Sequence, residues 1–328
     1  MTARLLTPAL VLLLIALAST SLLAGTVWLT PAQAAAALVD PRADLAQLVM
    51  VEVRLPRLVL ALLVGGILGL SGAVLQGLLR NPLAEPGLLG VSSGASLGAV
   101  IAIYYGFAAG FTLATPLFAL AGALATVAVA LALGRTRGTL SLILAGIAVS
   151  AIAGAGVNLA LNFAPSPYAA YEIMTWLMGS LVDRSWDHVA LAAPFILVGS
   201  VLLFATARAL DALALGEAQA ESLGIHVRRT YLLALVGTAL GVGAATAVTG
   251  AIGFVGLVAP HLVRAAVGQR PGATLLPATL AGAAIVLAAD IATRLIRTGP
   301  EIKLGVFVAA VGAPFFLWLV LHVRRTGA

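Results

Sequence analysis

The chain contains no cysteine and one lysine, Lys303, among its 328 residues. It can form neither a disulfide nor a thiolate-ligated metal site. Charged residues are scarce at 9%, against roughly a quarter in soluble domains, while 62% of the chain is hydrophobic. A water-soluble globular fold is excluded. The four histidines, His188, His226, His261 and His322, lie far apart with no metal-ligand spacing, so no metal site is expected. No G-x-x-x-x-G-K-S/T phosphate loop occurs anywhere, so the chain has no ATP site of that kind. The basic excess of +6 comes from arginines scattered between apolar runs, which reads as membrane topology and not as nucleic-acid binding.

Long apolar runs occupy 8–29, 58–79, 88–106, 112–133, 140–163, 189–207, 274–293 and 304–322. Each approaches the roughly 20 helical residues that cross a hydrocarbon core about 30 Å thick. Between Arg229 and Arg264 lie 34 uncharged residues, read here as two short crossings that turn near Thr249-Gly250-Ala251-Ile252-Gly253. The expectation is an all-α, polytopic membrane protein of ten transmembrane helices forming one domain over 1–328. Charge counting favours both termini in the cytoplasm: that face then carries +7, and the outer face balances seven basic against seven acidic residues. Nine spans and a long tilted helix are the alternative. The first apolar run exceeds the length of a secretory-signal core, so it is taken as the first span despite Ala32-Gln33-Ala34.

Three connections stand out. Residues 30–56 form a polar external connection; 165–188, with Pro165, Pro167, Trp176 and Trp186, suit a short helix at the outer interface; 208–229 is the longest polar segment on the inner face. A weak echo also occurs, Leu63-Val64-Gly65-x-x-Leu68-Gly69 recurring as Leu235-Val236-Gly237-x-x-Leu240-Gly241. It fits an inverted transporter repeat or chance in a chain rich in these residues.

Chemistry is sparse. Gly90-Val91-Ser92-Ser93-Gly94 fits a nucleophile pattern that would make Ser92 the nucleophile of a hydrolase, but it opens a membrane helix and lacks the strand, acid and histidine such a site requires. Gly87, Gly90, Gly94 and Gly98 instead read as a small-residue packing face. Asp290 is the one intramembrane carboxylate; it could be the proton site of a secondary carrier, or could pair with Arg294 at i,i+4. A lone carboxylate argues for energy supplied by a separate subunit. Leu215-Gly216-Glu217-x-x-Ala220-Glu221-x-Leu223-Gly224 is sized as a short helix for a partner's groove, or as a solvated loop.

Arg80-Asn81-Pro82-Leu83-Ala84-Glu85-Pro86-Gly87-Leu88-Leu89-Gly90-Val91-Ser92-Ser93-Gly94-Ala95 resembles the signature of the FecCD family of ABC-transporter permeases, importers of iron-siderophores, haem and cobalamin. Residues 214–224, 250–264 and 312–318 extend the resemblance over essentially the whole chain from about residue 50. It implies a homodimer in the bacterial inner membrane, two cytoplasmic ATPase subunits that hold ATP and magnesium, a periplasmic substrate-binding protein, and no catalytic site or cofactor on this chain.

The same resemblance assigns residues. Leu215, Gly216, Glu217, Ala220, Glu221, Leu223 and Gly224 become the coupling helix that enters the ATPase. Asn81, Leu83, Thr139 and Leu140 match the cytoplasmic gate, with Leu140 where the cobalamin permease has serine, so the gate is expected to be more apolar. Arg54, Arg57 and Arg294 match the arginines that clasp acidic residues of the binding protein, a role suited to a planar bidentate donor; interfacial anchoring is the plainer alternative. Met174, Trp176, Met178, Gly179 and Ser180 resemble the outer connection of haem permeases, which tilts the expected cargo toward haem over a siderophore or cobalamin.

Overall fold

A computed structural model describes residues 3–25, 28–39, 45–134, 138–296 and 302–326. The described residues contain helices and connections and no strand. This follows from the apolar composition, since in lipid a helix satisfies its backbone polar groups within itself.

Ten apolar helices account for the expected spans: α1 (Ala3–Leu23), α2 (Leu55–Leu78), α3 (Val91–Tyr104), α4 (Ala114–Gly134), α5 (Gly138–Asn162), α6 (Trp186–Phe204), α7 (Val227–Thr249), α8 (Val255–Arg264), α9 (Pro271–Leu295) and α10 (Leu304–Thr326). Their lengths are uneven. Seven are long enough to cross a membrane, whereas α3, α8 and the apolar part of α10 are shorter. The 34-residue uncharged stretch does not divide into two equal halves. Within it α7 takes 230–249 and α8 takes 255–263; the complete helices have 23 and 10 residues, about 34 Å and about 15 Å long.

The break between them is enforced locally. Gly250 has φ +74°, and a Cβ there would lie 2.2 Å from the Trp176 carbonyl oxygen. Phe254 enters α8 with φ +64° and packs its ring on Gly312 of α10. The chain therefore runs from the end of α7 back into the bundle before α8 begins.

The polar connections also carry helix. Within 30–56, residues Leu45–Leu48 are α-helical and Val49–Arg54 form a π-helical turn, so α2 is extended backward by ten residues, Leu45–Arg54, instead of being preceded by a loop. Within 165–188 a helix spans Pro167–Leu177, capped by Ser166 Oγ accepting from the Ala169 N–H. Within 208–229 short helices cover Ala207–Leu213 and Glu217–Ser222.

Small residues set the packing. A Cβ on Gly65 would lie 2.4 Å from the Gly282 carbonyl oxygen, and one on Gly69 would lie 2.2 Å from that of Ala278, so α2 and α9 meet backbone to backbone. Gly94 and Gly98 of α3 meet α4 at Gly122 and Phe118 in the same way. Gly87 and Gly90 do not join that face; they belong to the 3-10 turn Pro86–Leu89 and its left-handed exit.

Helix packing repeats with an offset of five. α2 packs on α9 as α7 does on α4; α2 on α8 as α7 on α3; α3 on α4 as α8 on α9; α4 on α5 as α9 on α10; α3 on α5 as α8 on α10. An odd offset reverses helix direction, so the relation is an inverted repeat. The echo at Gly65/Gly69 and Gly237/Gly241 falls on α2 and α7, the first matched pair; Gly237 and Gly241 line α7 where it meets Gly199 and Leu203 of α6.

Candidate functional site

Asp290, near the end of α9, is fully buried at 0% exposure and sits between two arginines. Arg57 places Nε and Nη2 each 2.8 Å from Asp290 Oδ1, and Arg294 places Nη2 2.8 Å from Oδ2 as an ion pair. The i,i+4 pair anticipated from sequence thus forms, with a second partner 233 positions away. Arg294 Nη1 also donates to the carbonyls of Ser21 and Ala24, and Arg54 Nη1 to those of Leu22 and Leu23. Ser21, Leu22 and Leu23 hold the last carbonyls of α1, which a helix leaves without internal donors, and Ala24 follows directly. The three arginines assigned by resemblance therefore converge, tying α1, α2 and α9 at one end of the bundle. They are largely buried: Arg54 is 6% exposed, and the Arg57 and Arg294 side chains are 12% and 9% exposed.

The helix Pro167–Leu177 lies at this same end. Ser180 N–H donates to the Thr249 carbonyl at the end of α7, Gly305 N–H to the Gly179 carbonyl, and Trp186 Nε1 to the Val51 carbonyl. Tyr168, Tyr171, Met174 and Met178 are exposed, and Ile173 is buried against Val100, Ile103 and Val157.

At the opposite end the segment after α2 turns through Arg80, whose φ is +48°. Asn81 N–H donates to the Gln76 carbonyl, and Asn81 Oδ1 accepts from the Leu83 N–H at 2.9 Å, which fixes the tight turn. The 3-10 turn that follows packs on α5, where Gly146 lies beneath the Leu88 carbonyl. Asn81 and Leu83 are half-buried. Thr139 and Leu140 fall in the first turn of α5, and their side chains lie outside the described residues.

Two features of this region escaped the sequence reading. The Glu85 carboxyl lies against the backbone of Phe254, bringing the turn after α2 to the start of α8. Gln76, 2% exposed, donates from Nε2 toward the carbonyls of Gly256 and Leu257, while its Oε1 accepts from Arg264 Nη2. A lone amide inside the apolar run 58–79 was the available signal for Gln76.

Beyond the same end stands Glu217–Ser222. Gly216 enters it at φ +116° and Gly224 leaves at φ +81°. Ala220 is fully buried, whereas Leu215, Glu217, Glu221, Leu223 and Gly224 are exposed, so the helix shows apolar and acidic groups outward from a small-residue anchor. Tyr231 Oη donates to Glu217 Oε1 at 3.2 Å.

A bundle of apolar helices with an inverted repeat, a break between α7 and α8 and a short acidic helix beyond one end has the build of a multi-pass membrane transporter. The sequence model of the FecCD transport family matches residues 11–322, and the chain belongs to that family. It is 39% identical over 282 residues to the hemin transport system permease HmuU of Yersinia pestis, covering 84% of each chain. It is 41% identical over 321 residues to the vitamin B12 import system permease BtuC of Escherichia coli, covering 96% of this chain and 94% of that one. A solved structure provisionally described as a metal-chelate type ABC transporter in an inward-facing conformation superposes with a TM-score of 0.84 at 33% identity, over 96% of this chain and 98% of that one. The protein is accordingly a permease of the ABC-importer type.

Proposed function

We propose that this chain is the membrane subunit of an ATP-driven importer that carries an iron chelate, haem or a ferric siderophore, from periplasm to cytoplasm. Two copies form one pathway in the bacterial inner membrane, with two ATPase subunits below and a binding protein above. The observation that carries this reading is the helix Glu217–Ser222. Anchored by Ala220 and displaying Leu215, Glu217, Glu221 and Leu223, it has the size and amphipathic form of an element that enters a partner's groove. ATP and magnesium belong to that partner.

On this reading the Arg80–Arg264 end faces the cytoplasm and the Asp290 end faces out. Arg54, Arg57 and Arg294 hold α1 and α9 and also direct the outer end toward acidic groups on the binding protein; a guanidinium has five donors, so internal ties and an external carboxylate are compatible. Asn81, Leu83, Thr139 and Leu140 form the inner gate, the first two beside the turn that packs on α5. The preference for haem draws on Tyr168, Tyr171, Met174 and Met178, exposed along the outer helix, since tyrosine and methionine are among the side chains that ligate haem iron. Relatives that carry hemin and vitamin B12 are similar to this chain to about the same degree.

The test is reconstitution in liposomes with ATPase and binding protein, comparing uptake of haem, a ferric siderophore and cobalamin. ATP-dependent uptake of an iron chelate is expected. Uptake of cobalamin alone would remove the cargo assignment and leave the permease reading intact.

A further inference from the structure

A cavity of about 220 Å³ opens at the Arg264 end, lined among others by Gln76, Arg80, Asn81, Arg264, Gln269 and Thr274. It is smaller than the roughly 300–1,000 Å³ of pockets that enclose drug-sized ligands. Among the described residues its wall contains two arginines and no acidic side chain. Gln76 Oε1 accepts from Arg264 Nη2, which orients that guanidinium and leaves its other N–H groups for a ligand. Arg80 makes no hydrogen bond or ion pair with any described residue. Asn81 spends its Oδ1 on the Leu83 N–H, so its amide NH₂ is the free half. Arg80 and Gln269 both have left-handed backbone, φ +48° and +62°, an unfavourable state for side chains of this size, and both line this one cavity.

We propose that this cavity binds a phosphate-class oxyanion, either free phosphate or the phosphate of an anionic phospholipid headgroup, held by Arg80 and Arg264 with amide donors from Asn81 and Gln269. Planar guanidinium forks match a tetrahedral oxyanion bidentately. Because Asn81 belongs to the turn that packs on α5, an occupied site would brace that turn against α8 and α9.

The experiment uses the full-length permease assembled with its ATPase, stripped of lipid in detergent. Inorganic phosphate is titrated at constant ionic strength with chloride as the control, following thermal stability. Native mass spectrometry counts retained phosphatidylglycerol against phosphatidylcholine. Two variants accompany the wild type: Arg80→Gln, which removes an exposed cation with no internal partner, and Gln269→Gly, which suits the left-handed backbone while deleting a donor. A phosphate-specific stabilisation whose half-saturation rises about tenfold in Arg80→Gln identifies free anion as the source. Selective phosphatidylglycerol retention lost in both variants identifies lipid. If neither probe separates wild type from the variants, the proposal is overturned. It is equally overturned if no phosphate binds but Arg80→Gln weakens ATPase assembly, which would make an acidic residue of the partner the occupant.

Discussion

Asp290 shows how far a residue's neighbours in space can differ from its neighbours in sequence. Its i,i+4 spacing to Arg294 is visible along the chain, but Arg57 reaches it from the start of α2, and Arg294 continues to the end of α1. Removing one member of a buried ionic group leaves an uncompensated charge, a cost of about 3–5 kcal/mol. Asp290→Asn should lower the thermal midpoint of the purified permease, and with α1 less firmly held, proteolysis near residue 25 should quicken. An unchanged midpoint would show that the cluster is not a structural tie. That the three arginines share one end of the bundle was readable from topology. Their burial was not, because it depends on which helix ends meet. Gln76 is a parallel case: a single amide in an apolar run signals a buried polar role, but its acceptors belong to α8, 180 and 181 positions on. Gln76→Leu leaves two carbonyls and the Arg264 guanidinium without their partner and should cost about 1–3 kcal/mol in the same assay.

Among elements, the contact between α2 and α9 depends on the absence of side chains. Gly69→Ala places a methyl against the Ala278 carbonyl, which belongs to a helix backbone and cannot swing aside. Overpacking of this kind costs about 1–3 kcal/mol. A matched Gly154→Ala, where a Cβ meets nothing within 4 Å, should be neutral by denaturation. The spans themselves were legible because hydrophobic length is a property of one segment. The division of residues 230–263 was not, since a long helix ending at Thr249 and a short one starting at Val255 are imposed by Gly250 beneath the Trp176 carbonyl and by Phe254 seated on Gly312. The short helix Glu217–Ser222 carries its own prediction. Exchanging Glu217 and Glu221 for arginine changes its exposed charge by four units while Ala220 stays buried, so the permease should fold normally but lose most ATPase-coupled uptake. Undiminished uptake with tight ATPase association would remove the coupling assignment.

At the scale of the whole molecule, the five-helix offset says that the bundle is two oppositely directed halves closed on each other, an arrangement in which one half can rock against the other around a central path. Such rocking needs a source of free energy, and two rival designs differ in where it enters. In an ion-driven carrier a titratable group inside the membrane must load and release its ion; the one buried carboxylate of α9, Asp290, is instead engaged on both oxygens by arginines that hold neighbouring helices. In an ATP-driven importer the input arrives mechanically at a surface element, and the exposed helix beyond the Arg264 end is the one to which we assign that input. Sealed liposomes containing the permease, its ATPase and its binding protein should therefore accumulate substrate with ATP and magnesium inside or outside according to orientation, and should show no uptake when a proton gradient replaces ATP. Ser92→Ala should leave that uptake largely unchanged, since Ser92 begins a packing helix and not a nucleophile turn. Accumulation driven by the gradient in the absence of the ATPase would transfer the energy input to the buried carboxylate and make the acidic helix an ordinary loop.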